Sequence, residues 1–403
     1  MRIRCTEELH ENGGPGRFLL ARAEDALAEL IAAYEGAVTL IYLDPPFGTG
    51  DTFRLRLGKG RRQLALPAFD DRMDEASYLA WMRTVLTGCK RLLAPDGSLY
   101  LHIDYRMSAQ LRLMLDDIFG RNNFMNEIIW CYKSGGRTTR RYSRKHDTIL
   151  FYRRSARVYF NIAAVGEPRG PQRRNHMKRF VDENGRVCFS IRSGGKLYTY
   201  YEDTPVYPTD VWTDIEHLQQ RDRERVGYGT QKPEALLRRI ILASSRPGDL
   251  VMDLFSGSGT TAAVAGALGR RFVTVDASPF AMYTLRGRLL AASSVRSLLT
   301  GDHALLLRYP ADDVPAKIDY TLTRENGRCA VRLSGAVLAD GKYPLVYAAL
   351  GTAEGERFLP QAVNCAPELP LRLEMPEVGE PVLQVTDAVS YTHLRAHETK
   401  ANL

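Results

Sequence analysis

The stretch Val38-Thr39-Leu40-Ile41-Tyr42-Leu43-Asp44-Pro45-Pro46-Phe47 decides how this chain is read. Its first six residues are almost wholly apolar and rich in β-branched side chains, the composition of a strand buried on both faces of a parallel sheet. Pro45 and Pro46 then end the strand, because each fixes φ and lacks a backbone donor, leaving stiff chain with outward carbonyls. The Asp44 carboxylate, the Pro45 carbonyl and the Phe47 ring are thereby held at the carboxyl end of a strand, where open α/β sheets bind ligands. Such a trio suits a planar amine: one N–H goes to the carboxylate, the other to the carbonyl, and the ring stacks on Phe47. Taken alone, Asp-Pro-Pro is far more often an ordinary turn, so a second motif has to carry the chemistry with it.

That motif lies far downstream, in Asp253-Leu254-Phe255-Ser256-Gly257-Ser258-Gly259-Thr260-Thr261. Leu250–Leu254 reads as a strand, Gly257 and Gly259 permit a tight turn with close backbone approach, and Thr260–Leu268 reads as a small-residue helix closed by Gly269. A further strand over Phe272–Val275 ends in Asp276, placed to accept hydrogen bonds from ribose hydroxyls. Strand, glycine loop, helix and acidic strand tip together point to a nucleotide-like cofactor.

Asp-Pro-Pro-Phe followed by Gly48-Thr49-Gly50, and Thr230-Gln231-Lys232-Pro233-Glu234 leading into the glycine loop, resemble the amino-DNA-methyltransferases of the β class over residues 18 to 295. In that family the catalytic motif precedes the cofactor motif, with a target-recognition region between them. The resemblance implies an α/β fold: a Rossmann-like class I methyltransferase sheet with permuted motif order, an inserted target-recognition region and, here, a small β-rich C-terminal appendage. It also implies an S-adenosyl-L-methionine cofactor and double-stranded DNA as substrate, with Asp44, Pro45, Pro46 and Phe47 as catalytic residues. Asp253, Phe255, Gly257, Ser258, Gly259, Thr260 and Asp276 would bind the cofactor, with Thr230, Gln231 and Lys232 at its methionine end and Lys232 suited to its carboxylate. Aspartate at the first catalytic position fits adenine N6 better than cytosine N4, where serine is more frequent. Family members usually carry Gly-Asp near residues 23 to 25; this chain has Ala23-Glu24-Asp25.

The 403 residues, 44% of them apolar, suffice for two or more domains around a sizeable core. No stretch reaches the length of a membrane span and no signal-peptide pattern opens the chain, so a cytoplasmic protein is expected. The six cysteines are scattered without a C-x-x-C pair, which indicates neither a metal site nor a disulfide framework. From Cys131 to Thr230, twenty Lys and Arg face eleven Asp and Glu, a surplus of +9 against +8 for the whole chain, so the net positive charge is concentrated here and the rest of the chain is near neutral. Tyr132, Tyr142, Phe151, Tyr152, Tyr159, Tyr198, Tyr200, Tyr201 and Trp212 are interleaved with it. Basic charge beside aromatic faces is the footprint of a DNA backbone and unstacked bases. Lys133, Arg137, Arg140, Arg141, Arg144, Arg173, Arg174, Lys178 and Arg179 are the candidate DNA contacts.

Residues 1–17, with Gly13, Gly14, Pro15 and Gly16, read as a flexible lead-in, and 18–152 as the catalytic half of the core. Within it Ala23–Ala33 reads as a helix and Thr49–Asp71 as a loop, either mobile over the site or an ordinary surface loop. Tyr78, Trp81, Met82, Val85 and Leu86 repeat at helical spacing and read as core, and Ser98–Ile103 and Met107–Phe119 follow as strand and helix. His102 reads as a packed or hydrogen-bonded core residue, and Asp104 as facing the ligand side. Residues 153–226 form the recognition region, 227–300 the cofactor half and 310–389 the appendage. The run Ser390–Thr399 resembles the in-frame translation of a sequencing adapter, so 390–403 are set apart as an artefact.

Hydrogen bonds from both amino protons to Asp44 and the Pro45 carbonyl would make a base amine more nucleophilic, with positioning and electrostatics supplying most of the rate. The base has to leave the duplex stack first. An RNA or protein-amide methyltransferase is disfavoured by the permuted order and the basic insert, and a catalytically silent DNA-binding protein by two intact motifs. A cognate restriction endonuclease and a homodimer are the partners left open.

Overall fold

The computed structural model describes residues 5–11, 14–47, 52–57, 64–70, 73–133, 138–168, 177–219, 221–278, 280–282, 284, 285, 288, 305–306, 316–338, 345–354, 357–365, 369–387 and 392–396. In chain order the first half gives β1 (Cys5–Glu11), β2 (Gly14–Leu20), α1 (Ala23–Tyr34), β3 (Val38–Leu43), β4 (Thr52–Leu57), β5 (Leu64–Asp70), α2 (Glu75–Leu92), β6 (Leu93–Ile103), α3 (Ser108–Phe119), β7 (Phe124–Cys131) and β8 (His146–Arg153). The insert follows as β9 (Glu167–Pro168), β10 (Lys178–Val181), β11 (Val187–Ser193), β12 (Lys196–Tyr201), β13 (Pro205–Val206) and β14 (Val211–Trp212). Then come α4 (Glu234–Ser244), β15 (Leu250–Asp253), α5 (Thr260–Ala267) and β16 (Arg271–Asp276). The C-terminal strands are β17 (Leu305–Leu306), β18 (Ala316–Glu325), β19 (Arg328–Leu338), β20 (Leu345–Glu354), β21 (Arg357–Cys365), β22 (Leu371–Pro376), β23 (Pro381–Asp387) and β24 (Thr392–Ala396).

A nine-stranded sheet in the order β1-β2-β16-β15-β3-β6-β8-β7-β14 is the frame. Its centre is parallel, β2 with β16, β16 with β15, β15 with β3 and β3 with β6, and β8 runs antiparallel between β6 and β7. Side-chain alternation divides the core in two. Ile41, Leu43, Leu99, Leu101, Met252 and Val273 join the apolar faces of α1, α2 and α3, while Leu40, Tyr42, Tyr100, Val251 and Phe272 join α4 and α5 on the other side. The result is an α/β/α three-layer core of the Rossmann-like kind. Asp74 begins α2 by accepting the Ser77 N–H at 3.0 Å.

Two segments differ from their sequence reading. The lead-in holds β1 and β2, a hairpin that extends the sheet beyond β16. Its glycines read as flexible, yet a Cβ on Gly16 would lie 2.1 Å from the Phe272 ring, so Gly16 is there for close packing. The loop expected over Thr49–Asp71 contains the paired strands β4 and β5.

The insert forms a three-stranded antiparallel sheet, β10-β11-β12, and a small β9–β13 pair, and it returns one short strand, β14, to the main sheet beside β7. The appendage packs β17-β21-β20-β23-β24 against β18-β19-β22. Ala348 and Leu350 of β20 face its own core, while Tyr347 and Ala349 join the cluster on the α4–α5 side of the catalytic sheet. β24, inside the run set apart above, pairs with β23. Among the described residues no helix is long and apolar enough to cross a membrane.

Candidate active site

β3 and β15 are neighbours, with Val251 opposite Leu40 and Met252 opposite Ile41. Asp44, just past the end of one strand, and Asp253, at the end of the other, therefore come together across two hundred residues of chain. They open into one cavity of about 490 Å³, within the range of small-molecule sites. Asp44, Pro45, Pro46, Phe47, Thr230, Lys232, Asp253, Phe255, Gly257, Ser258, Thr260 and Asp276 all line it.

Two sequence candidates do not line it. Gly259 lies behind the wall as the left-handed residue that starts α5, where a Cβ would meet Leu285 at 2.8 Å. Gln231 is spent on the loop before it: its side chain accepts from Val226 N at 2.9 Å and donates to the Glu224 carbonyl at 2.7 Å. The expectation that Asp104 faces the ligand is also corrected. It is buried and accepts from Arg106 at both N, 2.9 Å, and Nε, 2.8 Å, fixing the turn into α3.

At the catalytic end, Lys232 Nζ donates to Asp44 Oδ2 at 2.6 Å and stands 5.3 Å from the centre of the Phe47 ring. Thr260 Oγ1 holds the Lys232 carbonyl at 3.2 Å, tying this loop to the glycine turn. At the other end, Gly257 has a positive φ of +51°, and its N–H donates to Asp276 Oδ2 at 2.7 Å. Ser278 N donates to Asp276 Oδ1 at 2.8 Å. Asp253 accepts from Phe255 N at 2.9 Å and from the Thr261 hydroxyl at 2.6 Å. Burial pushes the Asp253 carboxyl up to about 7, with the charges of Asp44 and Asp276 adding to it, and burial pushes Asp276 up to about 6.

Arg22, Glu24, Tyr42, Tyr78, Trp81, Tyr228 and Ser278 are also in the lining. The Trp81 ring meets Phe255 edge-on at 5.5 Å and its Nε1 donates to Glu24 Oε2 at 2.8 Å. The aromatic period of α2 reads as core, and Met82, Val85 and Leu86 are core, but Trp81 faces the cavity and the buried Tyr78 lines it too. These residues fit a ligand with an adenosine-like ring and a charged amino-acid end: an aromatic wall, the acidic Asp253 and Asp276, and the Lys232 ammonium. Ser256 Oγ, buried in the wall, has no hydrogen-bond partner among the described residues, as expected of a group awaiting a polar ligand.

Residues 38–286 match the family described as DNA methylase, the N6/N4 methyltransferases. The chain belongs to this family. It is an S-adenosylmethionine-dependent DNA methyltransferase of the adenine-N6 or cytosine-N4 type. Among its relatives are the type II methyltransferase M.EcaI of Enterobacter cloacae, 29% identical over 68% of this chain and 69% of its own length, and M.HpaI of Haemophilus parainfluenzae, 28% identical over 64% and 69%. The DNA adenine methyltransferase YhdJ of Escherichia coli is 31% identical over 62% of this chain and 76% of its own. Among solved structures, the cytosine-N4-specific PvuII DNA methyltransferase superposes with a TM-score of 0.45 at 15% identity, over 70% of this chain and 89% of that one.

The candidate DNA contacts of this methyltransferase separate by position. Because β8 is antiparallel to β6, the chain between β7 and β8 emerges from the same sheet edge as Asp44. Arg140, Arg141 and Arg144 there are exposed, with Arg144 stacked 3.7 Å over the Tyr105 ring. Lys133 is exposed and pairs with Glu216 at 3.3 Å. Lys178 and Arg179 lie on the exposed strand β10 of the insert. Arg137, Arg173 and Arg174 fall outside the described residues.

Proposed function

We propose that this methyltransferase modifies the exocyclic N6 of adenine within a specific sequence of double-stranded DNA. The observation that carries the reading is the aspartate at position 44 in a cavity shared with the glycine loop. A carboxylate accepts from an amine more strongly than a serine hydroxyl does, and it stabilises positive charge developing on the nitrogen. The relative YhdJ, named a DNA adenine methyltransferase, supports the same base.

In this reading Asp44 and the Pro45 carbonyl accept the two amino protons, and Pro46 stiffens the turn that presents them. Phe47 stacks on the base once it has left the duplex, recovering part of an unstacking cost of a few kcal/mol. Asp276 and the glycine loop hold the cofactor's ribose side, while Thr230 and Lys232 serve its methionine end. S-adenosylmethionine, when bound, supplies the electrophilic methyl. Arg140, Arg141 and Arg144 contact backbone phosphates near the flipped base, and the insert with Lys178 and Arg179 carries sequence reading. The type II names of M.EcaI and M.HpaI support a restriction-modification setting with a cognate endonuclease.

The test is transfer to unmethylated genomic DNA followed by digestion to nucleosides. N6-methyladenine is the expected product. N4-methylcytosine would keep the site and overturn the base.

A further inference from the structure

We propose that Tyr42, His102 and Asp147 form a buried positioning chain that sets the plane of Phe47 and so orients the target base. This rests on reading Asp44–Phe47 as the methyl-transfer site. The three side chains come from three adjacent strands, β3, β6 and β8, at the edge that carries Asp44. His102 is fully buried. Its ring lies 6.1 Å from the Phe47 ring at an interplanar angle of 29°, and Trp130 closes on it edge-on at 5.6 Å.

Both imidazole nitrogens are engaged, Nδ1 with the Tyr42 hydroxyl at 2.8 Å and Nε2 with Asp147 Oδ2 at 3.2 Å. The second Asp147 oxygen accepts from the Tyr132 hydroxyl at 3.1 Å. The ends of the chain are chemically fixed. Burial, with the charges of Asp44, Asp253 and Asp147, keeps the proton on Tyr42. Burial works against the Asp147 carboxylate, but the hydrogen bonds from His102 and Tyr132, with the Lys232 charge, hold it below its ordinary range. In its neutral form His102 then satisfies both neighbours as one tautomer, accepting at Nδ1 and donating from Nε2.

Phe47 follows two prolines and has no regular element of its own to fix its ring. An apolar filler beneath it would supply packing but no direction. A satisfied polar chain rigidifies its surroundings and selects one arrangement. Tyr42 stands two residues before Asp44, so the same chain also anchors the strand end that presents the catalytic carboxylate. His102 acts through Phe47 and need not touch the base, which makes it a positioning residue.

The experiment compares wild type with Tyr42→Phe, Asp147→Asn and His102→Leu. Steady-state methyl transfer is measured together with cofactor binding by calorimetry and the fluorescence of 2-aminopurine placed at the target position. The expected result is a kcat lower by about tenfold or more in His102→Leu, with smaller losses in the two near-isosteric variants. Cofactor affinity should stay within about twofold, and the 2-aminopurine signal of the captured base should change, because stacking on Phe47 is altered. Turnover and 2-aminopurine signals like wild type in both Tyr42→Phe and Asp147→Asn would overturn the inference, as would cofactor affinity falling in step with turnover. Those two variants decide the matter if His102→Leu does not fold. Asp44→Ala alongside separates the two levels: if it still transfers methyl, the reading of the site fails, not merely its support.

Discussion

Lys232 Nζ lies 2.6 Å from Asp44 Oδ2, an ion pair joining the loop before α4 to the end of β3, with both side chains largely shielded from water. Before substrate arrives, an ammonium already donates to the carboxylate proposed to receive the base amine. The same ammonium is the group proposed for the cofactor's carboxylate, so it stands between the two halves of the site. Lys232→Met is expected to weaken cofactor binding and cut turnover by about tenfold or more, because it also leaves a shielded carboxylate without its cation. Binding to DNA outside the base pocket should not change. Calorimetry with cofactor and anisotropy with labelled duplex check the two halves separately.

Asp276 receives the Gly257 and Ser278 N–H groups and faces the cavity. Asp276→Ala removes that brace together with the proposed ribose acceptor. The cofactor Kd should rise by about tenfold or more while affinity for duplex DNA stays the same. An unchanged cofactor Kd would remove Asp276 from the binding set.

Asp253 carries a predictable pH signature. Its carboxyl is raised from 3.8 to about 7 by burial, with Asp44 and Asp276 adding to it, so between these values the folded protein binds a proton that the unfolded chain does not. Stability from this group is therefore greatest at low pH and is lost as pH rises through about 7. Asn at 253 can still accept from Phe255 N and donate to Thr261 without a charge to bury. In the absence of cofactor, the melting temperature of Asp253→Asn relative to wild type should increase as pH is raised from 4 to 7 and level off above it. A flat difference would contradict the assignment.

Arg140, Arg141 and Arg144 emerge from the sheet edge that carries Asp44 and are proposed to contact phosphates. Each replacement by Ala that removes one phosphate contact should lower the slope of log K against log salt by about one. The loss should be similar for cognate and unrelated duplexes. A loss confined to the cognate sequence would assign the residue to base reading instead.

The two motifs and their convergence were legible in the sequence because backbone rules dictate them: a buried strand stopped by Pro45 and Pro46, and a turn at Gly257 and Gly259 that needs positive φ. The basic insert was legible from charge alone, although β14 rejoining the main sheet was not, since two residues carry no periodicity. Trp81 was missed because an aromatic at helical spacing reads the same whether it faces a core or a cavity. Glu24 and Tyr228 were missed because long-range pairing with Trp81 and the glycine turn leaves no local signal. The β1–β2 hairpin was hidden by its glycines, which resemble a linker until Phe272 is seen occupying the space beside Gly16. His102 was read as a satisfied core histidine, and burial and both hydrogen bonds agree. Its place beneath Phe47 needed the fold.

The most direct test of the site is transfer of labelled methyl from S-adenosylmethionine to unmethylated DNA by wild type and Asp44→Ala, with cofactor binding measured on both. Label in DNA from wild type only, with cofactor affinity retained in Asp44→Ala, is the predicted result. Transfer that survives in Asp44→Ala, or cofactor binding lost to the same extent as transfer, would contradict the role given to Asp44.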